Sequence, residues 1–213
     1  MNAEEAFAAG ISPEEFFLKV IPRLHESRLE RFVEFSSASL IFSVLFTDTK
    51  KRYSCELGTK KARCSAGELV DFPVLSIEGK EKDWEEVKSH LRVLMSEADR
   101  RADAYVGHVH LTQAILDEFE RFDGVIEIRL TGGLGGSSSA SSMDFRVVLN
   151  DYEAVKGART LSLEMPMASL EDVIMGNKTA AEVARGLVLR GDKLLGMNLE
   201  GFFLKHFEAA LSK

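Results

Sequence analysis

His108 and His110 alternate, a spacing that on a strand turns both imidazoles to one face and lets them share a metal ion. A zinc or iron site needs further ligands, and no spacing supplies them, since His25, His90 and His206 are scattered. The run Gly132-Gly133-Leu134-Gly135-Gly136-Ser137-Ser138-Ser139 could present backbone N–H groups to a phosphate. It lacks the Gly-Lys-Ser/Thr ending of a nucleotide loop and a strand follows it, so it reads as a hairpin tip. Ser137 to Ser142 contain no Gly-x-Ser-x-Gly nucleophile turn. The carboxylate pairs Glu14/Glu15, Glu85/Glu86 and Glu171/Asp172 fall in first turns of helices, where the helix dipole accounts for them. The expectation is therefore no catalytic residue, no metal and no cofactor. Binding is the chemistry that remains. Met143, Met165, Met167, Met175 and Met197 are five of the seven methionines. Their flexible thioethers can line an adaptable apolar cavity or simply fill a core.

The elements that must position these residues belong to a chain of 213 residues, 45% hydrophobic and 29% charged, enough apolar material for a core. A net charge of −7 argues against nucleic acid as a partner, because phosphate binding needs clustered Lys and Arg. The local basic stretch Lys50, Lys51, Arg52, Lys60, Lys61 and Arg63 reads as the decorated ends of a hairpin. No run approaches the roughly 18 apolar residues of a membrane helix, so no integral membrane association is expected. MNAEEAFAAG has neither the basic start nor the apolar core of a signal peptide. A cytoplasmic location follows as the expectation, with Cys55 and Cys64 as reduced, structural thiols.

Ser12-Pro13-Glu14-Glu15 opens a helix whose Phe16, Phe17, Val20, Ile21 and Leu24 make one apolar face, with Pro22 set to kink or end it. The period then changes to two. Leu40 to Phe46 and Arg52 to Leu57 form a hairpin, and Val74 to Ile77 is a third strand. Asp83 is expected to cap a helix carrying Trp84, Val87, Leu91 and Leu94. The same order returns: a helix with Leu111, Ile115, Leu116 and Phe119, strands at Val125–Thr131 and Met143–Leu149, a third strand at Leu161–Glu164, and a short helix capped by Ser169. Thr179 and Glu182 make another capping pair, Leu187 to Leu189 a brief strand, and Leu195, Leu199, Phe202, Phe203 and His206 the face of a last helix. Leu75-Ser76-Ile77-Glu78 falls on Leu161-Ser162-Leu163-Glu164 without a gap, and the first strands, ending at Thr47 and Thr131, align within two residues of that register. This pattern predicts a divergent duplication, residues 1–106 and 107–213, joined near Tyr105 to His108.

The second half is similar to the sterol carrier protein type 2 family. Ser169-Leu170-Glu171-Asp172-Val173-Ile174-Met175-Gly176, then Ala184-Arg185-Gly186-Leu187-Val188-Leu189-Arg190-Gly191-Asp192, carry the resemblance, with Gly124-Val125-Ile126-Glu127-Ile128-Arg129-Leu130-Thr131-Gly132 upstream. The resemblance covers about residues 109–207. It implies an α/β (α+β) fold of two sterol-carrier-like halves, each a mainly antiparallel twisted sheet with helices on one face. It also implies non-catalytic binding of a lipid, fatty acyl or sterol-like molecule in an apolar tunnel. The glycine loop is longer than the family's usual hairpin, and the first half lacks the closing strand motif. The residues placed in such a tunnel are Ile126, Ile128, Phe145, Val147, Met165, Met167, Ile174, Leu195, Leu199 and Phe203. Two other readings stay open from the residues themselves. One is an interaction or scaffold module with a filled core or a homodimer interface; the other is an enzyme using the two histidines.

Overall fold

The computed structural model describes residues 3–29, 38–67, 73–100, 112–132, 142–150, 159–174, 177–178, 182–183 and 186–211. The histidine pair and residues 133–141 of the glycine loop lie outside them, as do Met175, Gly176, Thr179 and the expected join. The fold is mixed α+β. Eight strands make one sheet: β1 (Leu40–Phe46), β2 (Lys51–Leu57), β3 (Ala62–Ala66), β4 (Leu75–Gly79), β5 (Gly124–Thr131), β6 (Ser142–Leu149), β7 (Thr160–Pro166) and β8 (Val188–Gly191). Their order is β3-β2-β1-β4-β6-β5-β7-β8. Only β1·β4 and β5·β7 are parallel, so the sheet is mainly antiparallel, as the resemblance implies.

Both halves use one connectivity. A hairpin, β1–β2 or β5–β6, is followed by a strand that returns parallel to the hairpin's first member, directly in the second half and after the extra strand β3 in the first. Phe42 stands opposite Leu75, and Ile126 stands opposite Leu161. Thr47 Oγ1 donates to the Gly79 carbonyl at 3.1 Å, and Thr131 Oγ1 donates to the Met165 carbonyl at 3.5 Å, the same clasp at matching positions. The two halves do not form separate sheets. β4 pairs antiparallel with β6, with Leu75 opposite Leu149 and Ile77 opposite Val147.

Helices cover one face. α1 is Ala3–Ala6; α2 runs through Pro13–Glu15, a π-helical Phe16–Val20 and Ile21–Leu29; α3 is Trp84–Arg100. Then follow α4 (Gln113–Phe119), α5 (Met167–Ile174) and α6 (Lys193–Leu211). Ser12 caps α2 as expected, accepting from the Glu15 N–H at 3.2 Å. Pro22 does not end the helix. It removes the N–H that the Leu18 carbonyl would accept, and the chain widens just before it, the Ile21 N–H reaching back five residues to the Phe16 carbonyl. That wider turn brings Phe16, Phe17 and Val20 into the core together.

Several local expectations are corrected. Asp83 ends a short 3₁₀ turn, Glu81–Asp83, and the cap comes from Asp48, whose carboxylate accepts from the Glu81 N–H at 2.8 Å and the Lys82 N–H at 3.3 Å. Ser169 lies inside α5, which already begins at Met167. β3 is a strand that the turn signals around it conceal. Cys55 and Cys64 face each other across β2 and β3 and are joined as a disulfide, Cα atoms 4.1 Å apart, where reduced thiols were expected. Antiparallel pairing places the two side chains directly opposite, a proximity that nine residues of sequence separation conceal. The basic stretch does sit around this hairpin, with Lys51 paired to Glu81 and Arg63 to Glu56.

Candidate functional site

Strand alternation gives the sheet two chemically distinct faces. On the helix-covered face the first half is packed with rings: Phe16, Phe17, Phe46, Tyr53 and Trp84 all lie in one buried cluster. Phe17 stacks on Tyr53 with centroids 5.1 Å apart, and Phe16 meets Trp84 edge-on at 5.1 Å. Trp84 Nε1 donates to the Ile11 carbonyl at 2.8 Å. Lys88, only 2% exposed, donates to that same carbonyl at 3.1 Å and pairs with Glu85 at 2.8 Å, so its charge is not left bare.

The second half covers the same face differently. Leu149, Leu161, Leu195 and Leu199 make one buried cluster, with Ile126, Val147 and Leu163 half-buried against it. Leu130, Met143 and Met167 make another, with Ile128, Phe145 and Met165 half-buried against that. Eight of the ten residues expected to line a tunnel thus share this face. Of the remaining two, Ile174 closes α5 and Phe203 lies on α6. Register explains the grouping: Ile126 opposes Val147, Ile128 opposes Phe145, and Leu130 is flanked by Met143 and Met165. Phe119, Phe122 and Phe202 form a ring triplet beside the first cluster, centroids 5.4–5.9 Å apart.

Helix α6 is held over this half by polar contacts. Asp192 accepts from the Leu195 N–H at 2.9 Å, capping the helix, and takes Arg159 at 2.8 Å. Chiefly through that arginine, its carboxyl is held below the ordinary value. Gly191 is required here: φ is +89°, and a Cβ would lie 2.2 Å from the Thr160 carbonyl oxygen. At the other end Lys205 and His206 both reach Glu118, at 2.7 and 3.0 Å.

The sheet's other face carries a feature that the sequence reading missed, a cavity of about 500 Å³. Its walls come from β4 to β8, where charged side chains alternate with Ile128, Phe145, Leu163 and Val188. One row runs Glu78, Arg146, Glu127, Ser162, Arg190; the next holds Asp144, Arg129 and Glu164, with Lys80 and Thr47 at its end. Arg146 pairs with Glu78 at 2.8 Å, Arg129 with Asp144 at 2.8 Å, and Ser162 donates to Glu127 at 2.9 Å. Asp144 holds the Arg129 guanidinium above its usual value. The alternation of charge and apolar side chain along β5 and β6 is visible in the sequence. Which charges meet across strands depends on register, which is not.

Among the described residues no group of three His, Cys, Asp or Glu side chains is placed to hold a metal. No described helix is long and apolar enough to cross a membrane. Neither a family model nor a curated protein matches the chain.

Proposed function

We propose that the protein binds an apolar, lipid-like molecule without catalysis, on the helix-covered face of its second half. The supporting observation is the half-buried state of Ile126, Ile128, Phe145, Val147, Leu163 and Met165, which lie between fully buried clusters. Apolar side chains flanked by closed core and still partly open leave area that an acyl or sterol-like ligand can cover. Each methylene so buried contributes about 0.8 kcal/mol. This reading follows the sterol-carrier resemblance, with the first half as a related, filled partner.

The test is native mass spectrometry of the freshly purified protein together with titration of a fluorescent fatty acid. A stoichiometric apolar adduct, or saturable probe binding that Ile126→Trp weakens about tenfold or more, is the expected result. Ile126 is the better plug than Met167, which is 2% exposed and has no room for a larger ring. A clean apo mass with no saturable binding would sink the proposal.

An interaction module is the second reading. Leu194 and Met197 on α6 are 58% and 67% exposed, and edge strand β8 also exposes Val188 and Leu189. A homodimer seen at micromolar concentration, lost on Leu194→Asp and Met197→Asp, would favour it.

A further inference from the structure

We propose that the charged cavity on the sheet's second face binds a small zwitterion of about dipeptide size, its carboxylate on Arg190 and its ammonium on Glu164. The inference does not rest on lipid binding, although Ile128, Phe145 and Leu163, which that reading uses, also border this cavity. The cavity holds four cations, Lys80, Arg129, Arg146 and Arg190, and four anions, Glu78, Glu127, Asp144 and Glu164, so its walls are balanced in a chain of net charge −7. A simple anion entering it would meet the carboxylates that pair with Arg129 and Arg146. A simple cation would meet the reverse. Only a ligand carrying both signs gains at both ends.

The pairing pattern says where those ends fall. Arg146 and Arg129 are already engaged by Glu78 and Asp144. Arg190 has no hydrogen-bonded or ion-paired partner among the described residues, and Glu164 makes no hydrogen bond there, acting only on Arg129 across the strands. Both stand on the same face of adjacent antiparallel strands, Arg190 opposite Ser162 and Glu164 opposite Val188. They are therefore diagonal neighbours, about 7–8 Å apart with their Cβ atoms somewhat closer, a span suited to the two termini of a dipeptide. The guanidinium can take a carboxylate in bidentate fashion, and Ser162, whose hydroxyl donates to Glu127, stands opposite it. A volume of about 500 Å³ falls within the range of small-molecule sites.

The test is calorimetric titration with glycylglycine, set against its N-acetyl form, which keeps only the carboxylate, and its C-terminal amide, which keeps only the ammonium. The expected result is saturable binding of glycylglycine alone, weakened roughly tenfold or more by Arg190→Gln and by Glu164→Gln. Arg190→Lys should recover part of it. Ile126→Trp, on the opposite face, should leave it unchanged while weakening fatty-acid binding. Equal binding of the singly charged forms, indifference to Arg190→Gln, or no binding of glycylglycine to the folded protein would each overturn the assignment.

Discussion

The two halves share a connectivity and a register but are closed with different materials. In the first, five rings from α2, β1, β2 and α3 fill the space between sheet and helices. In the second, leucines and methionines from α5, α6 and the strands make two smaller clusters, with half-buried aliphatic and phenylalanine side chains against each. Rings placed at fixed angles leave little slack, whereas thioethers and aliphatic chains adapt to what they cover. One strand arrangement can thus serve as a rigid base in one place and a receptive surface in another. A disulfide across β2 and β3 further ties the first half, and the second relies on Gly191 and the Asp192–Arg159 pair at the matching edge.

The sharpest way to break this comparison is to truncate one side chain in each half. Phe17→Ala removes a ring that contacts Phe16, Phe46, Tyr53 and Trp84, and should cost about 3–5 kcal/mol. Ile126→Ala, from a half-buried position, should cost less than about 2 kcal/mol. Urea unfolding of both variants decides it, and equal losses would mean that the second half is packed as tightly as the first. Next in size is the disulfide. Replacing Cys55 and Cys64 together by alanine frees a short loop and should lower stability by about 2–3 kcal/mol. Free-thiol titration of the unfolded wild type under non-reducing conditions should find none; two free thiols would show the pair reduced. The matched threonines give a smaller and more pointed contrast. Thr47→Val should cost about 1 kcal/mol, and Thr131→Val less than half of that, because the second hydrogen bond is long at 3.5 Å. Reversal of that order would show that the clasp matters more at the second half's edge.

Much of this architecture was legible along the chain. The change from helical spacing to a period of two located β1, β2, β5, β6 and β7, and the gapless match of Leu75–Glu78 to Leu161–Glu164 picked out the two strands that return parallel. The apolar set was legible for the same reason, since period two fixes which residues share a face. What escaped was everything set by pairing between distant segments. The cap of the turn before α3 comes from Asp48, far upstream, rather than from Asp83 beside it. The disulfide follows from β3, whose alanines and arginine carry little strand propensity. The charged cavity needed the registers of β4 to β8 before its rows could be assembled.

Asp48 also supplies the smallest of the expected effects. Its carboxyl is held below the ordinary value chiefly by the Glu81 N–H, and Glu81 is itself lowered, chiefly by Lys51 and then Thr49. A carboxyl whose folded value is depressed binds its proton more weakly folded than unfolded. Its contribution is therefore fully present above the ordinary carboxylate value and fades as the pH falls through the depressed one. These groups are solvent-exposed, so the contribution is small and screened by salt. Wild-type stability should fall across that acid window, and Asp48→Asn should fall less, because its acceptor oxygen remains while its titration does not. Thermal unfolding across this pH range in low and high salt measures the difference. Identical acid limbs would show that the turn joining β4 to α3 is held by its backbone geometry, not by the charge of Asp48. The first half would then owe its rigidity to rings and disulfide alone.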